Sequence, residues 1–250
     1  MPNIFHNSLS LGYPVAAGAS YPTSNLISYW RFDETSGTSV ADQYGSNTGI
    51  ASNAAIWNSS GKNNGCAYPN NTYSINFGNS GDFNIGSGSM SWSFWIYGIQ
   101  EYNPQTAILS KTNGAGASTT YGWFLASHHH QGMNGVGIIM SSSSAGWFTG
   151  AIPNTEVTDN QWNHYVFTLN GRSSNSDFKG YLNGVEKKLN YGGDITIHTN
   201  VTNTLNLVLS GESDGGDKMR AKIDELGIWK RVLTPTEVST IYNNGAGLFL

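Results

Sequence analysis

Apolar and polar positions alternate along the chain over short stretches, a pattern typical of half-buried β-strands. In the stretch 91–97, Trp92, Phe94 and Ile96 occupy every second position, which places them on one face of a strand. The same alternation is found in 26–32. Further strands are predicted at 106–111, 121–126, 136–140, 161–169, 178–182, 185–187, 206–209 and 222–229.

Two local motifs predict a hairpin and a helix. Asn183 and Gly184 separate two predicted strands, and this pair supplies the positive φ angles of a tight type I′ turn. Thr234 and Glu237 have the spacing of a capping box, with a proline at the first helical position between them. We therefore expect one short helix near the C-terminus, with Gly245 ending it.

The composition narrows the class of protein. Only 11% of the residues are charged, against roughly 25% in ordinary domains. The chain has 12 Lys and Arg, a net charge of −4 and no basic cluster, which argues against nucleic acid as a partner. Its 31 glycines and 12% aromatic residues favour an all-β protein. Cys66, the single cysteine, excludes an intramolecular disulfide.

The N-terminal stretch 1–24 lacks a clear period, and we interpret it as an arm that docks onto other proteins of an assembly. The remaining domain is expected to span 25–250. The first residues have neither the basic region nor the apolar run of a signal peptide, so secretion by that route is not expected. No stretch reaches the ~18 apolar residues of a membrane helix, so we expect no membrane insertion.

Four motifs carry a family resemblance. The opening one is LISYWRFDETSGT at 26–38, the middle one is SWSFWI at 91–96, the third is WNHYVFT at 162–168, and the closing one is IDELGIW at 223–229. The chain resembles the laminin-G-like, concanavalin A-like jelly-roll family, in its three-motif bacterial and phage branch. This resemblance implies an all-β, two-sheet antiparallel jelly-roll sandwich with one short C-terminal helix. Six rings are then expected to point into one core: Trp30, Phe32, Trp92, Phe94, Trp162 and Trp229.

The resemblance also implies one structural Ca²⁺ ion, which would tie the first strand to the last. We assign its ligands to Asp33, Asn47 and Asp224, with backbone carbonyls of the glycine-rich loop 45–49. Ca²⁺ takes six to eight oxygen ligands, many of them from the main chain. The alternative is that Asp33 caps a turn and Asp224 accepts hydrogen bonds from neighbouring amides.

Catalysis is not expected. Asp224 and Glu225 are neighbours on a predicted strand and should therefore point to opposite faces. The acid and the nucleophile of a retaining glycosidase must instead face one sugar from ~5–5.5 Å apart. His128–His130 could bind a transition metal, but we interpret the run as an exposed loop.

Surface recognition remains as the predicted chemistry. Tyr102, Trp147 and Tyr191 are the candidate rings for stacking on sugars, although each could equally pack locally. Our first hypothesis is a non-enzymatic structural, decoration or attachment protein of a virus particle, namely a tailed phage. Such a protein is made in the cytoplasm of the host cell. It would contact other virion proteins through 1–24, form a homo-oligomer or a larger assembly, and contact host glycans. The alternatives are a free or cell-surface carbohydrate-binding module and, less favoured, a polysaccharide hydrolase or lyase.

Overall fold

The structure is a computed structural model of the chain. It describes residues 18–99, 106–112, 122–127, 134–142, 146–212 and 215–250. Tyr102, the His128–His130 run and most of the predicted arm lie outside the described residues.

Short strands dominate the described residues, with one α-helix, α1 (Pro235–Tyr242). The strands are β1 (Leu26–Trp30), β2 (Ser39–Val40), β3 (Gly49–Ala51), β4 (Trp57–Asn63), β5 (Gly65–Ala67), β6 (Ile75–Asn76), β7 (Met90–Tyr97), β8 (Thr106–Lys111), β9 (Gly122–Ser127), β10 (Gly135–Ser141), β11 (Phe148–Pro153), β12 (Trp162–Leu169), β13 (Phe178–Leu182), β14 (Val185–Lys187), β15 (Asn190–Gly192), β16 (Val208–Leu209) and β17 (Lys222–Trp229).

The strands form two antiparallel sheets. In the first sheet the order is β14-β13-β12-β7-β17-β5-β4, and β1 also pairs with β17. In the second sheet the order is β15-β11-β10-β9-β8-β16-β6-β3-β2. The sheets pack face to face with a continuous apolar core between them. This architecture confirms the predicted all-β jelly-roll sandwich with one short C-terminal helix.

The core between the sheets is rich in aromatic rings. Four of the six rings predicted to share it lie there and are fully buried: Trp30, Phe32, Trp92 and Phe94. Trp92 meets Trp123 of the second sheet, with ring centroids 5.1 Å apart. Each buried ring removes ~150–250 Å² from water, so these contacts supply much of the apolar burial of a low-charge sandwich.

The prediction that Trp162 and Trp229 share this core is wrong. Trp229 lies on the outer face of the first sheet, in a second apolar cluster with Tyr21 and Tyr29 that α1 covers. Trp162 is half-buried, with its ring 5.8 Å from that of Tyr97. Both faces of β17 are buried because α1 packs on the outer side. A period of two therefore does not reveal which face meets the main core.

The described end of the predicted arm packs on its own sandwich. Tyr21 is buried and stacks on Trp229, with ring centroids 5.8 Å apart. The Trp229 indole N–H donates to the Pro22 carbonyl at 2.7 Å, and Arg231 Nε donates to the Ser24 carbonyl at 2.7 Å. Docking of the arm onto other proteins stays a prediction.

The predicted hairpin and helix start are confirmed. Asn183 and Gly184 have φ of 53° and 79°, as a type I′ turn between β13 and β14 requires. Thr234 and Glu237 form the capping box of α1. The expected stop at Gly245 is wrong, because the helix already ends at Tyr242 with Asn243 in the left-handed conformation, which Asn tolerates. No helix among the described residues is long and apolar enough to cross a bilayer.

The different burial of Trp229 and Trp162 predicts different losses of stability when each ring is removed. We expect Trp229→Ala to lower the free energy of unfolding by about 3–5 kcal/mol, because it empties the centre of the second cluster. Trp162→Ala, which removes a half-buried ring, should cost about 1–2 kcal/mol. Urea unfolding followed by circular dichroism measures both variants. Equal losses would contradict the described positions of the two rings.

Candidate functional site

A β-bulge in β17 brings two carboxylates to the same face of the first sheet. Ile223 and Leu226 both point into the main core, although an unbroken strand would place residues three apart on opposite faces. Glu225 has a φ of 54°, and the register with β7 shifts between Asp224 and Gly227. The two acids therefore lie between inward positions and both point outward. The expectation that they face opposite sides is wrong.

Backbone amides surround the Asp224 carboxylate. Its Oδ2 accepts hydrogen bonds from the N–H groups of Lys62 at 2.8 Å and Asn63 at 3.0 Å. Its Oδ1 accepts one from the Glu225 N–H at 3.0 Å. Burial nevertheless raises the pKa of Asp224 to about 9, against the lowering effect of the amides.

The Glu225 carboxylate joins the same network. It accepts hydrogen bonds from the Tyr29 hydroxyl and from Asn63 Nδ2, the latter at 2.9 Å. Its residue is 3% exposed, and burial raises the pKa of Glu225 to about 7 although both donors lower it. Asn63 thus contacts both acids. The arrangement ties the β4–β5 hairpin to β1 and β17 and leaves neither carboxylate open to a substrate.

The three predicted calcium ligands do not converge. Asp33 lies at the β4–β5 hairpin with Asp224, and its Oδ1 accepts from the Gly65 N–H at 2.8 Å. Asn47 belongs to another network, in which its Nδ2 donates to Ser28 Oγ at 2.8 Å. N–H donors occupy both Asp224 oxygens and Asp33 Oδ1, whereas Ca²⁺ takes six to eight oxygen ligands. As arranged, these residues do not fit the ion, and calcium stays a prediction of the resemblance.

The described residues contain no group of three or more His, Cys, Asp or Glu side chains able to hold a metal ion.

Asp42, which sequence reasoning missed, organises the loop that was expected to offer carbonyls. Its carboxylate accepts from the backbone N–H groups of Tyr29, Tyr44, Gly45 and Asn47, at 2.9–3.2 Å. A carboxylate that collects amides in this way favours a tight turn. An aspartate followed by a glycine three residues later is a turn signal that could have identified it.

A groove lies on the outer face of the first sheet, between β12, β13 and the start of α1. Its volume is about 270 Å³, close to the lower limit of ~300 Å³ for small-molecule sites. The groove has a polar side from β12, β13 and the turn between them, and a mainly apolar side from the residues before and at the start of α1. The lining residues are Thr168, Asn170, Ser176, Asp177, Lys179, Tyr181, Val232, Leu233, Thr234 and Pro235. No sequence motif indicated this groove, because the residues come from separate parts of the chain.

Asp177 is the anionic group of the groove. Its Oδ2 accepts from the N–H groups of Ser173 at 2.6 Å and Ser174 at 3.1 Å, and these bonds hold the pKa of Asp177 below its usual value. Its Oδ1 has no hydrogen-bond partner among the described residues. Nearby, Lys179 pairs with Glu186 at 3.1 Å. The groove therefore offers an ionised acceptor at Asp177, just before β13, and an ammonium group at Lys179 on β13.

Two of the three rings predicted to stack on sugars are described, and they lie on opposite faces of the second sheet. Trp147 is half-buried beside Phe124 on the outer face, with ring centroids 6.4 Å apart. Tyr191 packs against Phe148, which belongs to the main core, and its hydroxyl donates to the Phe178 carbonyl at 2.8 Å. Trp147 and Tyr191 therefore do not form one platform. Tyr102 lies outside the described residues.

The buried Glu225 predicts a pH dependence of stability. Its folded pKa of about 7 exceeds the ordinary 4.5, so folding favours the protonated carboxyl. This contribution is present below pH 4.5 and is lost as the pH rises through 7, which amounts to about 3 kcal/mol. We expect the Glu225→Gln variant to show a smaller decline, with the part due to the raised pKa of Asp224 remaining, as measured by urea unfolding at pH 5 to 8 in the presence of a chelator. The control is Glu156→Gln at an exposed ion pair, and an unchanged pH profile in Glu225→Gln would contradict the assignment.

Comparison with known proteins agrees with this architecture. A family model described as the concanavalin A-like lectin/glucanases superfamily matches residues 69–239. No curated protein matches the chain in sequence.

Solved structures share the fold at low sequence identity. The binding domain of Paraclostridial Mosquitocidal Protein 1 is 15% identical with a TM-score of 0.65, over 89% of this chain and 53% of that one. Domain 4 of AbnA, a GH43 extracellular arabinanase from Geobacillus stearothermophilus in complex with arabinotriose, is 21% identical with a TM-score of 0.58, over 86% and 97%.

The receptor binding domain of botulinum neurotoxin D is 14% identical with a TM-score of 0.60, over 89% of this chain and 53% of that one. The chain thus spans about half the length of the first structure and of the neurotoxin domain. At these identities the likeness concerns the fold alone. Because the family model covers more than half of the residues, the chain belongs to the concanavalin A-like lectin/glucanases superfamily.

Proposed function

We propose that the chain is a non-enzymatic, lectin-like module that binds carbohydrate in the groove beside α1. The observation that carries this proposal is the pairing of an ionised, half-free carboxylate with an apolar wall in one groove. Sugars present the same two surfaces, since their hydroxyl groups donate and accept hydrogen bonds while their C–H faces are apolar.

The polar side of the groove suits hydroxyl groups. Asp177 Oδ1 can accept from a sugar hydroxyl while Oδ2 remains held by the turn. Asn170 and Lys179 are exposed and add N–H donors. Charge-assisted hydrogen bonds of this kind are the stronger ones. On the other side, Val232 and Pro235 offer C–H surface beside the ring of Tyr181.

The described carboxylates argue against turnover of the sugar. Asp177 is the only carboxylate among the residues that line the groove, whereas most glycosidases use two. Asp224 and Glu225 are buried elsewhere as part of a structural network. Ser93 Oγ and His164 Nε2 are 2.8 Å apart, but both residues are buried and the His164 ring stacks with Tyr242. A substrate cannot reach that pair without displacing α1.

Fold relatives support carbohydrate as the ligand class. The arabinanase domain is described in complex with arabinotriose, and the ligand binding domain of botulinum neurotoxin D in complex with N-acetylneuraminic acid. Both are proteins with the same fold as this chain. The proposal for this chain rests on its own groove, and the relatives are consistent with it.

We further propose that the module serves as an attachment or decoration protein of a virus particle. The supporting observation is the composition, because only 11% of the residues are charged and the net charge is −4. A surface with little charge repels neighbouring copies weakly and suits dense packing. A free or cell-surface carbohydrate-binding module is the alternative that the same groove would serve.

The groove predicts a specific binding defect. Asp177→Asn retains an oxygen for the turn amides and removes the negative charge, so we expect glycan affinity to fall about tenfold or more. The matched control is Asp82→Asn, since Asp82 also lies in a short turn, with Oδ2 accepting from the Ser80 hydroxyl at 3.1 Å, but lies outside the groove. A glycan array identifies the probe, and isothermal titration calorimetry with arabinotriose and with the best array ligand measures affinity. Equal affinities in both variants would contradict the groove, and no binding on the array would contradict carbohydrate recognition.

The virion role predicts where the chain is found. We expect mass spectrometry of gradient-purified virus particles from an infected host to detect it at a fixed ratio to the major structural protein. Host proteins of similar abundance serve as the control for contamination. Recovery only in the particle-free fraction would favour the free binding module instead.

A further inference from the structure

Loops from both sheets meet at one end of the sandwich, where His198 is fully buried. Its Nδ1 accepts a hydrogen bond from the backbone N–H of Ser142 at 3.2 Å. A backbone N–H can only donate, so Nδ1 carries the lone pair and the proton of the neutral ring sits on Nε2. This Nε2 atom is buried and has no hydrogen-bond partner among the described residues. His198 therefore directs a buried N–H donor at no acceptor.

Arg172 adds two more unused donors beside it. Its Nη1 donates to the carbonyl of Thr199 at 3.4 Å, and Thr199 directly follows His198 in the chain. The guanidinium Nε and Nη2 atoms are buried and have no hydrogen-bond partner in the part of the chain that the structure describes. These two N–H groups lie on the same edge of the guanidinium plane and form a fork that matches the two oxygens of a carboxylate.

The local charges agree with a shared site. Burial and the positive charge of Arg172 lower the pKa of His198, so the imidazole is neutral and donates through Nε2. Asp194, the nearby carboxylate, acts in the opposite direction but is exposed, and its Oδ1 caps the Thr196 N–H. Buried donors that lack an acceptor cost free energy. Several N–H donors of this kind are suited to the oxygens of an oxyanion.

We propose that Arg172 and His198 form an oxyanion-binding site that takes the carboxylate or sulfate group of an acidic glycan. The Arg172 fork holds two oxygens of the group, and the His198 Nε2–H donates to one of them. Arg172 lies in the turn between β12 and β13 and is half-buried, so the site requires its side chain to rotate when the group enters. The proposal supplies each unused donor with an acceptor.

The turn 170–177 connects this site to the groove. It carries Arg172 and also lines the groove through Asn170, Ser176 and Asp177. An oligosaccharide chain in the groove would therefore run close to the oxyanion site. The choice of a glycan as the ligand rests on the proposed function, whereas the oxyanion site itself rests on Arg172 and His198 alone.

Isothermal titration calorimetry at constant ionic strength tests the site with four probes. These are a galacturonate trisaccharide for the carboxylate, a sulfated heparin disaccharide for the sulfate, a neutral galactose trisaccharide and a short polyglutamate peptide. We expect at least one acidic sugar to bind about tenfold more tightly than the neutral one. Whichever acidic sugar binds identifies the oxyanion, and either result supports the site.

Two variants test the assigned donors. Arg172→Lys keeps the charge and removes the fork, while His198→Asn keeps an acceptor for the Ser142 N–H and removes the Nε2 donor. We expect both to lose the preference for the acidic sugar and to bind the neutral sugar as before. The control is Arg220→Lys at an exposed arginine, which should change nothing. Thermal unfolding midpoints establish that each variant is folded.

The outcomes separate this proposal from the groove. An acidic preference that survives in Arg172→Lys, or no preference in the unmodified protein, would overturn the oxyanion site. Polyglutamate binding as tightly as the acidic sugar would overturn the glycan assignment. If Asp177→Asn leaves the affinity for the acidic sugar intact while Arg172→Lys removes it, the groove fails and the oxyanion site stands. If Asp177→Asn loses binding of the neutral sugar, and neither the unmodified protein nor any variant prefers the acidic sugar, the oxyanion site fails and the groove stands.

Discussion

The antiparallel pairing of β1 with β17 joins the two ends of the domain, and the first sheet depends on it. Leu26 lies opposite Trp229 and Trp30 opposite Leu226, although about 200 residues separate the partners. β17 pairs with β7 on one side and with both β5 and β1 on the other. Without β1, the part of β17 from Leu226 to Trp229 would have an unpaired edge. An unpaired strand edge presents free N–H and C=O groups that can pair with a strand of another chain.

The bulge in β17 follows from this arrangement. One side of the strand pairs with β5 at Ile223 and with β1 from Leu226 onward, so the neighbour changes between them. The additional residue at that point turns Asp224 and Glu225 to the same face, where the β4–β5 hairpin supplies N–H groups. The acids are thereby part of the closure of the sheet. Their burial is explained by a structural role, and no catalytic role is needed to account for it.

The proposed binding residues lie on a turn, whereas the buried acids lie on a strand within the sheet. The turn 170–177 connects β12 and β13 and projects from paired strands, which hold its two ends in fixed register. It contributes Asp177 to the groove and Arg172 to the oxyanion site. Rigid sheets that carry binding side chains on their connecting turns are a common solution, because turns can change without disturbing the core.

Local signals in the sequence determined the class of fold, the I′ hairpin at Asn183 and the start of α1 at Thr234. Each depends on residues within a few positions, so propensity and capping chemistry act before tertiary contacts form. The two-residue strand β2 and the short β6 escaped prediction because they are too brief to show a period. Tertiary structure alone decided that Trp229 lies under α1, that Glu225 adopts a positive φ, and that Arg172 donates to the Thr199 carbonyl next to His198. Those outcomes depend on contacts between distant segments, whose energies a linear pattern does not contain.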